Sequence, residues 1–373
     1  MTVDDISRAE KSQASDNEAA YWLAISRVPH IGPARIERLL RTFGTLASAW
    51  SASREALRVV LEPKPLSELL DTRNRIEPAR ELERIAGLGI RAVHPGHSTY
   101  PKLLAEISGR PSILYIRGEL LPADDVSVAI VGTRRATPYG RQSAERIAAE
   151  LAQVGVTVIS GLARGVDAAA HRAALEAGGR TIAVLGSGAD VIYPAEHRQL
   201  SEQILGAGAI VSELPPGAKP DAQNFPARNR IVTGMALGTV VVEAPMRSGA
   251  LISASFAADQ GREVFVIPGS IFSPNSQGTN ALLRDGARLV RDGADVLEDL
   301  GIATGSSRAP THIQIPLDES ERQLLSALGK EARHIDELAD AAGLNAGEAS
   351  ALLLTMELRG LVRNHGAQYY VLR

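Results

Sequence analysis

Residues 126–171 read VSVAIVGTRRATPYGRQSAERIAAELAQVGVTVISGLARGVDAAAH. Two apolar, β-branched runs, Val126–Val131 and Val156–Ser160, flank an amphipathic stretch at Gly140–Val154, and a second helical stretch follows at Val166–Ala177. Strands that are apolar almost throughout have both faces covered, which is the mark of a parallel sheet between layers of helix. Further runs of this kind lie at Ile113–Ile116, Thr181–Leu185, Ala209–Ser212, Thr239–Glu243 and Glu263–Ile267. The pattern predicts an α/β fold: a Rossmann-like, doubly wound parallel sheet over residues 93–301.

Outward from this block the composition changes. Residues 1–19 are polar and mixed in charge, the composition of a disordered tail. Residues 20–92 predict a small α-helical domain, in which a Pro29-His30-Ile31-Gly32-Pro33 break separates two apolar-periodic stretches. Residues 302–316 are a Gly/Ser/Ala/Pro linker. Residues 317–373 predict three helices and a β-hairpin, the order of a winged helix.

Composition narrows the chemistry. The chain of 373 residues contains no cysteine, which excludes a disulfide framework, Cys-ligated zinc and thiol catalysis. With 40 Lys+Arg against 43 Asp+Glu, the formal charge of −3 gives no global basic field. No apolar run approaches the roughly 20 residues of a membrane span, and the N-terminus lacks a signal-peptide core, so a cytoplasmic protein without membrane contact is expected. Only 4% of residues are aromatic. Nucleic-acid binding would therefore lean on phosphates, guanidinium groups and backbone N–H.

Ligands of open α/β sheets bind outside the carboxyl ends of the strands. The residues after each predicted strand are Gly132-Thr133-Arg134-Arg135, Gly161-Leu162-Ala163-Arg164-Gly165, Gly186-Ser187-Gly188 and Arg247-Ser248-Gly249. A long loop after Ala209–Ser212 holds Arg228-Asn229-Arg230. Glycine lets a backbone approach a ligand, helix N-termini favour anions, and Arg forks onto phosphate. Several such ends on one sheet edge predict a site for a phosphorylated ligand. No Walker A or dinucleotide fingerprint occurs, and no cofactor is expected. Asp167 and His171, at i and i+4, read as a structural hydrogen-bonding pair, with no metal site.

The segments VAIVGTRRATPYG, VISGLARGVDAAAHRAAL, TIAVLGSGADVIYP, NFPARNRIVTGMA, VVVEAPMRSGALISA and VFVIPG resemble, in order and spacing, the DNA-processing protein A (DprA/Smf) family. The resemblance implies a non-enzymatic cytoplasmic protein, typically a homodimer. Such a protein binds and protects single-stranded DNA and loads the RecA recombinase onto it in natural transformation or recombinational repair. Carried over by motif, Gly132, Thr133 and Arg134, then Gly161, Arg164 and Gly165, then Arg228, Asn229 and Arg230 would contact the nucleic acid. The family often has Asn at the position of His197. The N-terminal segment resembles a helix-hairpin-helix or sterile-alpha-motif module, whose Gly-x-Gly turn here reads His30-Ile31-Gly32. The winged segment has six basic and nine acidic residues, which predicts contact with protein, or only weak contact with DNA. The alternative is a nucleotide phosphoribohydrolase with Glu243 as general acid, which the missing Pro-Gly-Gly-x-Gly-Thr turn disfavours.

Overall fold

The computed structural model describes residues 18–302, 318–328, 332–358, 361–364, 366 and 368–372. The tail expected at 1–19 and the linker at 302–316 therefore lie almost wholly outside the described residues. The chain forms two compact units, 1–305 and 306–373.

Nine strands of the first unit form one sheet: β1 (Arg91–Val93), β2 (Leu114–Gly118), β3 (Ser127–Val131), β4 (Thr157–Ser160), β5 (Thr181–Leu185), β6 (Ala209–Ser212), β7 (Gly238–Val241), β8 (Glu263–Val266) and β9 (Arg288–Leu289). Their order is β1-β2-β6-β5-β4-β3-β7-β8-β9. From β3 the chain winds outward through β4, β5 and β6, then returns to the other side of β3 for β7 and β8. The β3/β7 boundary is thus the topological switch point, where a crevice opens at the strand ends. Helices α1 (Pro138–Gln153), α2 (Val166–Glu176), α3 (Arg198–Ala207), α4 (Asn224–Gly234), α5 (Gly249–Asp259) and α6 (Gln277–Arg284) cover the sheet. Strands β3 to β7 are buried at every position, which explains their unbroken apolar sequence.

The sheet is not parallel throughout. β2 runs antiparallel to β6 and β1 antiparallel to β2, which corrects the expectation for Ile113–Ile116. The reversal shortens the connection. Gly118 pairs with Ala209, so β2 ends at the edge where β3 begins, and residues 119–126 pass beneath the intervening strands. Arg180 fixes this crossing: its guanidinium bonds both Asp124 oxygens, at 2.9 and 3.0 Å, and the carbonyls of Glu119 and Ala207.

The N-terminal helices share a core with the sheet. Leu23, Ile25, Leu39, Leu69 and Ile85 pack in one cluster with Ile90, Tyr115, Leu162, Leu185 and Ile204. The break between the first two helices, 18–26 and Pro33–Phe43, places His30 at φ 64°, so the backbone takes the left-handed turn without the usual glycine.

In the second unit, helices Glu319–Ala327, Ile335–Ala342 and Ala346–Leu358 surround a core with Leu324, Leu338, Leu353 and Met356. Strands Arg333–His334, Val362–Asn364 and Tyr369–Leu372 form a three-stranded sheet. This is a winged helix, with Gly343 at φ 64° ending its second helix.

Candidate nucleic-acid interface

A cleft of about 670 Å³ opens at the carboxyl ends of β3, β4 and β7. Gly132, Thr133, Arg134, Arg135, Asp167, Arg228, Asn229, Arg247, Ser248 and Gly249 are among its lining residues. Four arginines face it and one carboxylate, so the cleft is strongly cationic in a chain whose net charge is −3.

Backbone contact between two glycine turns builds its floor. A Cβ at Gly132 would lie 2.5 Å from the Val166 side chain, and one at Gly165 2.3 Å from the Thr133 carbonyl. Gly165 also sits at φ 78°. The two turns nest because neither carries a side chain there, and the Val166 N–H donates to the Thr133 carbonyl at 3.3 Å. Gly165→Ala combines a forbidden φ with a backbone clash. It is expected to destabilise the fold by more than about 1 kcal/mol, read as a lower urea midpoint, whereas Ala at exposed Gly155 is expected to cost less.

Gly161 serves a different purpose from the one expected of it. The backbone N–H groups of Gly161 and Ala163 donate to Asp167, at 3.1 and 3.3 Å. An internal carboxylate thus occupies the anion-binding concavity that the sequence pattern suggests for a ligand phosphate. A Cβ at Gly161 would lie 1.7 Å from Arg228 Nη1, so the missing side chain makes room for that guanidinium. Arg228 is 8% exposed, and its Nε has no hydrogen-bond partner. Burial lowers the Arg228 pKa and raises that of Asp167, while each charge opposes the shift of the other.

Arg228 does not lie in a loop. Residues Asn224–Gly234 form α4, which corrects the reading of Arg228-Asn229-Arg230 as a loop. Pro226 falls in the first turn, where its missing N–H has no partner to lose. From α4, Asn229 Nδ2 donates to the Gly249 carbonyl at 3.1 Å and ties that helix to the start of α5. The α5 N-terminus faces the cleft with Ser248 at its cap. The Ser248 hydroxyl makes no capping bond, and its Oγ is buried without a partner. Those first-turn N–H groups are oriented for an anion.

The remaining expected residues lie outside the cleft lining. Arg164 forms a bidentate pair with Glu196 at 2.7 Å, and Arg230 pairs with Glu213 at 2.7 and 2.8 Å. Both cations are therefore neutralised in place. Gly186, Ser187 and Gly188 make a packing turn. Gly186 lies against Phe225, Ser187 Oγ donates to the Val191 carbonyl at 2.6 Å, and the Gly188 N–H donates to the Ala218 carbonyl. His197 is buried, and its Nδ1 donates to the Leu162 carbonyl at 2.9 Å, which supports Leu162 at φ 56°.

The sequence reading names Arg135 and Arg247 after their strands without selecting them as contacts, and it does not select Phe225 or Tyr193, yet all four line the cleft. Arg135 and Arg247 adjoin residues that it did select, and both are exposed. Phe225 carries the Arg134 guanidinium 5.2 Å from its ring centroid, and Tyr193 lies 5.6 Å from the same ring. A chain poor in aromatics thus places two at its cationic cleft.

Residues 91–301 match the family model described as DNA recombination-mediator protein A, and residues 308–368 match the DprA winged helix domain. Protein Smf of Synechocystis sp. is 35% identical over 95% of this chain and 99% of its own length. The X-ray structure of DNA processing protein A from Streptococcus pneumoniae superimposes with a TM-score of 0.66 at 33% identity, covering 75% of this chain and 97% of that one. A Helicobacter pylori structure, described as giving insight into the single-stranded DNA binding mode of its DNA processing protein A, aligns with a TM-score of 0.51 at 32% identity. That match covers 57% of this chain and 95% of the other.

Proposed function

Because the chain belongs to the DNA-processing protein A (DprA/Smf) family, we propose that its cleft binds single-stranded DNA through the phosphates. The protein would then protect the strand and deliver it to the RecA recombinase, in transformation or recombinational repair. The observation that carries this reading is the placement of Arg134, Arg135, Arg228 and Arg247 with the α5 N-terminus at the switch point of the sheet. Arg134, Arg135 and Arg247 are exposed and able to follow a backbone, and Arg228 supplies a fixed charge at the base. Phe225 and Tyr193 offer ring faces to a base without reading its identity.

The role is binding, not catalysis. Glu243, the general acid of the hydrolase reading, is 2% exposed and accepts from both the N–H and the hydroxyl of Thr137. Its carboxylate holds the start of α1, and a Cβ at Gly140 would strike it. The cleft is lined instead by Pro245 and Arg247, further along the same loop.

The family also leads us to propose a homodimer. The edge strand β9 supports this, with Leu289 half exposed on an unpaired edge. The acidic winged helix is proposed to contact protein, or DNA only weakly.

Fluorescence anisotropy with labelled oligonucleotides across a salt series tests the central reading. Single strands should bind more tightly than duplex, with log K falling by about 0.7 per neutralised phosphate for each decade of salt. Arg134→Ala should weaken binding alike on all sequences and flatten that slope by roughly one contact. Equal affinity for duplex, or an unchanged slope in the variant, would overturn the assignment.

A further inference from the structure

We propose that Tyr139 and Phe272, on the Arg135 flank of the cleft, form a second, stacking stretch of the strand path. It would take the unpaired bases that follow the phosphates held in the cleft. The proposal rests on the strand-binding reading and adds a site that the cleft itself does not contain.

Phe272 is 88% exposed and its neighbour Ile271 76%, the two largest exposures of any aromatic or Ile side chain among the described residues. A consecutive apolar pair left in water forgoes the stabilisation that burial would give. The segment that carries it is nevertheless held in place. The Phe272 N–H donates to Ser270 Oγ at 3.2 Å, and the Ser273 N–H donates to the Ser270 carbonyl at 3.0 Å. Gly269 lets the chain fold back against Ser276, whose Oγ would lie 2.1 Å from a Cβ at that position.

The same segment is tied to the cleft. Asn275 Nδ2 donates to the Arg135 carbonyl at 3.1 Å, and the Asn275 carbonyl accepts from the Ala244 N–H at 2.8 Å. Phe272 is three residues from Asn275, so its backbone lies within about 10 Å of that anchor. Tyr139, itself 49% exposed, donates its hydroxyl to the Pro268 carbonyl at 2.7 Å and sits at the base of the same segment. Two exposed rings therefore lie on and at the base of a segment anchored to the backbone of Arg135, one of the exposed cations lining the cleft.

The occupant follows from this pairing of chemistries. A protein partner matched to an apolar pair needs few cations around it. A single strand presents a phosphate and an apolar, π-faced base at every step, and so uses a guanidinium and a ring side by side. A duplex keeps its bases stacked inside, so the rings would give it nothing. The stretch would thus add length-dependent affinity and preference for unpaired strands, with no selectivity among bases.

The test uses the full chain and oligothymidylates from about 4 to about 16 nucleotides. Phe272→Ala should bind the shortest strands like the parent and the longer ones about 5- to 100-fold more weakly. The salt slope should be unchanged, because stacking releases no counterions. Phe272→Trp should retain the parent affinity. Abasic positions outside the cleft segment should bring the parent protein down to the level of Phe272→Ala and leave that variant unaffected. Parent-like binding of long strands by Phe272→Ala would overturn the proposal, as would indifference to abasic positions. A loss explained by an altered sedimentation coefficient would overturn it too, and would assign the pair to contact between copies. If the parent chain bound no oligonucleotide of any length, the strand-binding reading itself would fail, which is a distinguishable result.

Discussion

Arg228→Met is expected to abolish tight single-strand binding and to destabilise the α/β unit by about 1–4 kcal/mol, the usual effect of removing a nearby opposite charge from a buried carboxylate. The substitution removes the one cleft arginine that is buried and takes away the positive charge that favours the ionised form of Asp167, itself 6% exposed. Asp167 keeps its two backbone donors, Gly161 and Ala163, but their dipoles alone do not offset the loss of a full charge. Binding and folding are separable here. Asp167→Asn retains an oxygen for the same N–H groups and carries no charge, so Arg228→Met with Asp167→Asn should recover most of the stability and none of the binding. Urea melts and anisotropy on the single and double variants check this. A double variant that regained both would make Arg228 a purely structural residue and move the phosphate contacts to Arg134, Arg135 and Arg247.

The same pair shows what a sequence can and cannot disclose about such a site. Glycine turns after apolar strands are local signals, and they placed the cleft at the correct sheet edge because side-chain period and strand polarity are written in neighbouring residues. Which arginines face it is a non-local matter. Arg164 is neutralised by Glu196, 32 residues away, and Arg230 by Glu213, 17 residues away, and no spacing rule reaches either partner. Arg247 adjoins the expected Ser248-Gly249, so its only signal was adjacency. Asp167 stood out for its i, i+4 relation to His171, yet its actual partners are the N–H groups of the preceding turn. The direction of β2 was equally hidden, since a strand buried on both faces has the same composition whichever way it runs.

Acidification supplies the second large effect. His171 is fully buried, and burial, with His197 and Arg228 nearby, lowers its pKa to about 3. Its Nδ1 donates to Thr181 Oγ1 at 2.6 Å, since that hydroxyl already donates to the Val158 carbonyl, and Nε2 is left without a partner. His94 stacks on Trp22 at 4.9 Å, and burial, with His97 nearby, lowers its pKa to about 4. Both rings therefore bind a proton more weakly folded than unfolded, where the value is about 6.5. Folding stability is fully present above pH 6.5 and is lost as the pH falls toward 4 for His94 and 3 for His171. At pH 5 the unfolded chain is favoured by about 2 kcal/mol for each histidine, near 1.4 kcal/mol per pH unit below 6.5. Urea midpoints measured from pH 7.5 to pH 5 should fall accordingly. His171→Asn keeps a donor to Thr181 and has no proton to gain, so it should remove about half of that slope. A slope unaltered in His171→Asn would show that this ring takes up its proton alike in the folded and unfolded chain, and that burial does not weaken its hold on that proton.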